Sequence, residues 1–243
     1  MAKPLDLEEQ EQLDDIKHFW KTYGNLITWG LIVVFGGIAA WNGWQYWQRV
    51  QATQASALYD EIERAAQAGD VAKVDRAFSD IRDKYGGTAY AQQAGMLAAK
   101  IHIDKGNNDG ATAALTWVAE KASDPGYQAV ARLRLAAVLM QAKRHDDALK
   151  QLAGKLPGEF DGLVADRRGD IYTALGKKAE AKTEYAKAYQ SLDERAEYRR
   201  LVEVKLNALG VDPKPLVTVA AAATPPVASS APPAAATSAG AKP

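Results

Sequence analysis

The sequence predicts an all-α protein, with one N-terminal transmembrane helix followed by an α-solenoid of helix–turn–helix repeats. Residues 22–48 form one run without a charged side chain. Residues 49–210 are rich in Ala, Leu, Lys, Glu and Gln and show no strand-like alternation of polar and apolar side chains. Turn signals recur in that region with a period of about 35 residues, which is typical of helical repeats. They lie at Gly69, Gly106, Lys143 and Gly176.

Composition excludes several classes of function. The 30 basic and 30 acidic residues leave no net charge that would attract nucleic acid. The chain has no cysteine, which excludes disulfides, thiolate metal sites and a cysteine nucleophile. Its three histidines are too scattered for a metal site, and no phosphate loop, nucleophile elbow or zinc-protease motif is present. We therefore predict neither an enzyme nor a cofactor, metal or nucleic-acid binder, and we interpret the acids Asp146 and Asp147 as a helix N-cap.

The first two predicted segments are a cytoplasmic N-terminus, residues 1–21, and a membrane anchor, residues 22–48. A helix needs about 20 apolar residues to cross about 30 Å of hydrocarbon, and the anchor is long enough. Aromatic residues stand at both ends of the anchor, where they would lie in the headgroup layers. They are Trp20 and Tyr23 at one end, and Trp41, Trp44, Tyr46 and Trp47 at the other. A buried helix of a soluble protein is the alternative, but it would not place aromatic residues in this way.

A cleaved signal peptide is a second alternative for the anchor. Residues 55–57 have the small-x-small form of a cleavage site. They lie well beyond the apolar centre, however, and the residues before the anchor are acidic rather than a short basic region. We therefore expect a retained anchor. Lys17 and Lys21 precede it and Arg49 follows it, which favours a cytoplasmic N-terminus and repeats on the other side of the membrane.

Small residues in the anchor are spaced so that another membrane helix could approach closely. They are Gly36, Ala39, Ala40 and Gly43, which form a candidate helix-docking face for a lipid-embedded partner. The alternative is that Gly and Ala are simply common in membrane helices.

The repeat domain, residues 49–210, contains a unit that resembles a tetratricopeptide repeat. Gly169 and Tyr172 on a first helix, and Ala181, Tyr185 and Ala188 on a second, match the packing positions of that family. Equivalent positions in earlier units are Ala136, Leu139, Ala148 and Leu152, then Ala99, His102, Ala111 and Leu115, while the first unit shows only Gly69 and Phe78. The tryptophan and closing proline of the family are absent, so the repeats are degenerate. A coiled coil is the alternative, but the recurring turns would break it.

In repeat arrays of this kind the concave face, built from the first helices, binds peptides. The residues that would point there form a candidate peptide groove. They are Met96, Ile103, Leu133, Ala137 and Met140. The alternative is a register shifted by one position, which would bury all five in the core. A final helix over about residues 193–209, capped by Ser191 or Asp193, would cover the open end of the array.

The C-terminal segment, residues 211–243, is rich in Ala, Pro, Ser and Thr and contains seven prolines. Large apolar side chains are nearly absent from it, so it cannot bury enough surface to offset the entropy of ordering. We therefore expect a disordered tail.

The N-terminal segment resembles the YfgM family of ancillary SecYEG translocon subunits in Gram-negative inner membranes. The resemblance lies in LEEQEQ at residues 7–12 and DDIKHFWKTYG at residues 14–24, followed by one anchor and degenerate repeats. It covers about residues 5–210 and does not extend to the tail. It implies a single-pass protein of the bacterial inner membrane, with a cytoplasmic N-terminus and periplasmic repeats. It also implies two partners, the SecYEG translocon and the periplasmic chaperone PpiD.

The function that follows is a non-catalytic, membrane-anchored binding protein at the translocation channel. It would link SecYEG to periplasmic chaperones and bind unfolded secreted or membrane polypeptides as they emerge. The alternative is a structural or regulatory adaptor, related to envelope stress, that holds a complex at the membrane without handling clients.

Overall fold

The computed structural model describes the backbone of residues 7–213 and the side chains of residues 17–213. Within these residues every regular element is a helix, which confirms the all-α class. The α-helices are α1 Leu7–Gln67, α2 Val71–Tyr85, α3 Ala89–Asp104, α4 Asn108–Lys121, α5 Pro125–Gln141, α6 His145–Leu152, α7 Asp161–Ala174, α8 Lys178–Ser191 and α9 Glu197–Ala208, with a 3-10 turn at Gly158–Phe160 before α7. The predicted tail lies, from residue 214 onward, outside the described residues.

Helix α1 joins the anchor to the repeats without a break. Of its most apolar 18-residue window only 6% is buried, and α1 is the one described helix long and apolar enough to cross a membrane. This exposure argues against the alternative of a buried helix in a soluble protein. Further along the same helix, Ala55, Ile62 and Ala65 are buried where α1 packs on α2 and α3. The first repeat therefore begins on the same continuous helix as the anchor.

Five described helices end in the same kind of turn, which explains the period of the sequence. The turn residue has a left-handed backbone, with φ between 59° at Lys143 and 77° at Gly210. In each turn the following N–H donates to the carbonyl five residues earlier, as from Asn107 to His102 at 2.8 Å. This is the Schellman arrangement, which satisfies carbonyls at a helix end. The turn residues are Gly69, Gly106, Lys143, Gly176 and Gly210.

The fifth turn completes the assignment of the repeats. Gly210 follows Gly176 at the same period as the earlier turns, so α9 ends as a first helix of a repeat does. The first helices of successive repeats are therefore the end of α1, then α3, α5, α7 and α9, while α2, α4, α6 and α8 are second helices. Among the described elements, α9 is the first helix of an incomplete fifth repeat.

The predicted packing positions are buried in every unit, except that Tyr172 is half-buried and Gly69 is an exposed turn residue. The structure adds three residues that the sequence analysis missed in the first repeat: Ile62, Ala65 and Val74, all buried. They and Phe78 lie one repeat period before Ala99, His102, Ala111 and Leu115. Ile62 and Val74 fill places where the next repeat has alanine, which hid the first unit from a motif comparison.

The chain forms two compact units, one up to Gln128 and one from Ala129, with the boundary inside α5. In the first unit the rings of Phe78 and Trp117 meet edge to face, with centroids 5.6 Å apart. In the second, α7, α8 and α9 enclose a core cluster. Its buried members are Ala165, Ala181, Tyr185, Ala188, Tyr189, Val202 and Leu206.

Two predicted helix starts were wrong. Helix α9 begins at Glu197, not near Asp193, because Ser191 ends α8 and Asp193 instead accepts a hydrogen bond from Arg195 N in the connecting turn. Helix α6 begins at His145, so the acids Asp146 and Asp147 lie in its first turn and neither is the N-cap. Carboxylates in a first turn still favour the helix through its dipole, and such residues are hard to distinguish from caps in a sequence.

Candidate functional site

The predicted helix-docking face lies on the exposed part of α1. Gly36, Ala39, Ala40 and Gly43 are all exposed, and a Cβ added at Gly36 or Gly43 would meet no atom within 4 Å. At about 100° per residue, these four positions fall on one side of the helix. The structure therefore presents one smooth strip of helix surface on which a neighbouring helix could pack, and its role stays a prediction.

Two residues of the predicted peptide groove lie on α3, in the first unit. Met96 exposes 9% of its surface, whereas Ile103 exposes 38%. They are seven residues apart, two helical turns, and so share a face of α3. Ile103 therefore offers apolar surface to a partner, and Met96 offers very little.

The other three predicted groove residues lie on α5, in the second unit. Leu133, Ala137 and Met140 are all half-buried, and their spacing of four and three residues places them on one face. Their neighbours Leu135, Ala136 and Leu139 are buried in the core, so the predicted set is on the more exposed side of α5. Peptide binding by these residues stays a prediction.

An apolar stripe on α9 was missed by the sequence analysis. Tyr198, Leu201 and Val204 expose 36%, 47% and 63% of their surfaces. The opposite face of α9 buries Val202 and Leu206, so this helix is apolar on two sides. The sequence did contain a signal for this stripe. Apolar side chains recur every three residues in a short helix that already has a core face.

A network of charges and hydroxyls joins α9 to α7 in the second unit. The Asp166 carboxylate, only 1% exposed, accepts hydrogen bonds from Tyr198 Oη at 2.6 Å and from Lys205 Nζ at 2.8 and 2.9 Å. Lys205 Nζ also donates to Asp170 at 2.7 Å, and Tyr185 Oη donates to the same carboxylate at 2.8 Å. Because a buried charge is costly unless paired, this network fixes the position of α9 on α7.

The two tyrosines of this network titrate abnormally. Burial, together with the hydrogen bond to Asp170, raises the pKa of Tyr185 above its ordinary value. Burial, together with the hydrogen bond to Asp166, likewise raises the pKa of Tyr198. Both pKa values are raised first by burial and then by the neighbouring carboxylate, so both hydroxyls stay neutral donors, which suits a structural role at neutral pH.

His102 is a packing residue with satisfied ring nitrogens. Its Nε2 lies 2.7 Å from Asp75 Oδ1, and its Nδ1 lies 3.1 Å from the Asn107 side-chain amide. The imidazole is buried and Gly110 lies against it, since a Cβ there would come within 2.4 Å of the ring. This agrees with the sequence analysis, which placed His102 at a repeat packing position.

Among the described residues, no cluster of His, Cys, Asp or Glu could hold a metal ion.

Comparison with known proteins places these features in a family. Residues 17–211 match the family described as tetratricopeptide repeat-like domain. The chain is also 32% identical over 204 residues to a protein of Neisseria gonorrhoeae named "Ancillary SecYEG translocon subunit", covering 84% of this chain and 98% of that protein. No solved structure matches the chain.

Two further relatives with the same name extend the match. The protein of Haemophilus influenzae is 32% identical over 206 residues, covering 84% of this chain and 98% of that protein. The protein of Escherichia coli strain K12 is 29% identical over 207 residues, covering 84% of this chain and 97% of that protein. The matches span nearly the whole length of the relatives, and one apolar N-terminal helix fits a single-pass inner-membrane protein. The chain therefore belongs to the YfgM family of ancillary SecYEG translocon subunits, with a tetratricopeptide repeat-like domain, as its N-terminal residues predicted.

Proposed function

We propose that this chain is a non-catalytic, membrane-anchored binding protein that works beside the SecYEG translocon. The observation that carries the proposal is its similarity to ancillary translocon subunits over 98% of a relative's length. In the proposed arrangement, residues 1–21 are cytoplasmic, residues 22–48 cross the inner membrane, residues 49–210 form the periplasmic repeat domain and residues 211–243 are a tail.

The continuous α1 helix supports a simple physical role. Because the anchor passes into the first repeat without a hinge, the first unit is held close to the membrane surface. A binding domain tethered next to a channel meets emerging chains at a high effective concentration, so modest affinity suffices. In this role the repeats bind unfolded polypeptides leaving SecYEG and pass them to periplasmic chaperones, among them PpiD.

The association with the channel is tested at the docking face of α1. A Gly36→Leu, Gly43→Leu variant would carry bulk on that face, whereas Gly37→Leu places the same bulk about 100° around the helix. A Cβ at any of the three positions meets nothing within 4 Å, so we expect the fold to tolerate all three substitutions. We expect the double variant to lose copurification with SecYEG from mild detergent and Gly37→Leu to keep it. Equal copurification would contradict a role for this face.

Client binding is tested on the exposed sides of α3 and α5. The full chain in lipid nanodiscs should suppress aggregation of a urea-unfolded outer-membrane protein diluted into buffer. We expect two variants to weaken this suppression, the single substitution Ile103→Gln and the double substitution Leu133→Gln, Met140→Gln. Both should keep the melting temperature of the unsubstituted chain. A drop in melting temperature of several degrees with unchanged suppression would show that these residues belong to the core.

The second candidate function is a structural or regulatory adaptor, and the stripe on α9 favours it. Leu201 and Val204 form a compact apolar surface suited to one folded partner, whereas Met96 is largely buried and offers little to varied clients. An adaptor would not suppress aggregation, and a Leu201→Glu, Val204→Glu variant would lose PpiD or another folded partner in pull-down experiments. Loss of the partner together with intact client suppression would assign the stripe to the chaperone link instead.

A further inference from the structure

A cavity of about 490 Å³ opens on the first unit where α1 leaves the apolar run of the anchor. One wall is α1, through Trp44, Trp47 and Gln51. The other wall is the connection between α2 and α3, through Tyr85, Gly87 and Tyr90. The cavity therefore lies between the end of the anchor and the turn that follows α2.

Its depth relative to a bilayer follows from the geometry of α1. The uncharged run from Thr22 to Gln48 extends about 40 Å as a helix, the thickness of a bilayer with its headgroups. Trp44 and Trp47 near the end of this run therefore lie in the headgroup layer. Gln51, further along α1, lies just outside the headgroup layer.

The second wall is held at the same level by contacts to α1. The hydroxyl of Tyr85 donates to Gln54 Oε1 at 2.9 Å, and the rings of Tyr59 and Tyr90 lie 5.9 Å apart. Helix α2 runs back along α1 toward the anchor and ends at Tyr85, so the turn at Gly86 and Gly87 lies beside the end of the uncharged run.

The chemistry of the walls matches a phospholipid. Four of the lining residues are Trp or Tyr, the residue types that concentrate at membrane interfaces. One lining residue, Lys84, is a cation and none is an acid. Lys84 pairs with Asp80 at 3.2 Å but keeps most of its side chain exposed. Helix α3 begins at Ala89 on the cavity wall, and the positive end of its dipole favours an anion there.

We propose that this cavity binds one phospholipid of the leaflet next to the repeats. The lipid phosphate lies near Lys84 and the start of α3, and the upper acyl chain lies against Trp44 and Trp47. The bound lipid bridges the anchor and the α2–α3 turn, and so fixes the first repeat against the bilayer surface. This role rests on the membrane crossing of residues 22–48 proposed above, but not on the association with the translocon.

Two measurements on the purified full chain test the proposal, in nanodiscs of phosphatidylethanolamine and phosphatidylglycerol. The first places an environment-sensitive fluorophore on Gly87→Cys, where an added Cβ meets nothing within 4 Å, and on Lys105→Cys at the other end of α3. The sequence has no other cysteine. A nitroxide on the lipid headgroup should quench the label at Gly87 and leave the label at Lys105 unquenched. Equal quenching at both positions, or quenching at neither, would overturn the proposal.

The second measurement counts lipids that stay bound in native mass spectrometry. Ala52→Trp fills the cavity, whereas Ala57→Trp adds the same bulk on an exposed part of α1 outside it. We expect the unsubstituted chain and Ala57→Trp to retain one phospholipid that Ala52→Trp loses. Retention by all three would overturn binding in the cavity even if Gly87 touches the bilayer. If no lipid is retained and an added membrane protein shields Gly87, the occupant is a partner helix and the proposal is wrong.

Discussion

At the scale of single residues, the packing of α8 against α7 depends on Gly169. A Cβ added there would lie 2.5 Å from the ring of Tyr185, which is itself buried and hydrogen-bonded to Asp170. Because burial and this hydrogen bond hold the ring in place, we expect Gly169→Ala to lower the free energy of unfolding by about 1–3 kcal/mol. Urea denaturation followed by circular dichroism measures the change. Gly87→Ala is the matched control, since its Cβ meets nothing, and an equal loss in both variants would contradict this account.

Tyr185 also predicts how stability depends on pH. Because burial raises its pKa in the folded chain, the unfolded chain ionises first, near the ordinary value of about 10. The stabilisation is complete below that pH and is lost as the pH rises toward the folded pKa. We therefore expect the free energy of unfolding to fall above about pH 10.

The control for this pH dependence is Tyr185→Phe, which has no proton to lose. Its free energy of unfolding should start lower, because the hydrogen bond to Asp170 is gone, but should fall less steeply in alkali. Identical slopes for the variant and the unsubstituted chain, measured by urea denaturation at several alkaline pH values, would show that Tyr185 does not control the effect.

Single residues also show where prediction from the sequence stops. The packing positions of the last repeat could be predicted because small and aromatic residues recur there at fixed offsets. Asp166, Asp170 and Lys205 could not, since Lys205 is 39 residues from Asp166 and only the docking of α9 on α7 brings the charges together. In the sequence these residues look like ordinary surface charges.

At the scale of helices, the residue at the left-handed position of each turn should affect stability, and substitution there tests how the first helices end. Four have glycine at the left-handed position, and Lys143 occupies the remaining one with φ at 59°. A side chain costs about 1 kcal/mol in that conformation, because its Cβ crowds the backbone. We expect Lys143→Gly to raise the free energy of unfolding by about 0.5–1 kcal/mol and Gly176→Ala to lower it by about 1 kcal/mol.

Thermal or urea denaturation of the two variants checks this pair, and opposite signs are the required result. A destabilising Lys143→Gly would mean that the side chain makes a favourable contact that outweighs the backbone cost.

The helix bounds themselves show why turns were easier to predict than starts. Glycine at a left-handed position leaves a clear signal, whereas the N-cap before α9 is Ala196, which has no side chain that could cap the helix.

At the scale of the whole molecule, the sequence predicted the order of anchor and repeats but not their continuity. The uncharged run and the turn period are separate signals, and nothing in either says that one helix carries both. In the structure, α1 passes from the anchor to Ile62 in the core without interruption. A membrane anchor that is also a repeat helix transmits any change in its tilt directly to the first unit. The proposed function depends above all on the orientation of α1 across the membrane, because it decides on which side the repeats lie.

The orientation is predicted from charge and can be measured directly. Lys17 and Lys21 precede the uncharged run and Arg49 follows it, so the N-terminus should be cytoplasmic and the repeats periplasmic. The chain has no cysteine, so His18→Cys and Ser191→Cys, both at exposed positions, are clean reporters.

In intact cells, a maleimide that passes the outer but not the inner membrane should label Ser191→Cys. His18→Cys should react only after lysis. The reverse pattern would place the repeats in the cytoplasm, where they could meet neither periplasmic chaperones nor chains leaving the channel. Labelling of both reporters would mean that α1 does not span the membrane.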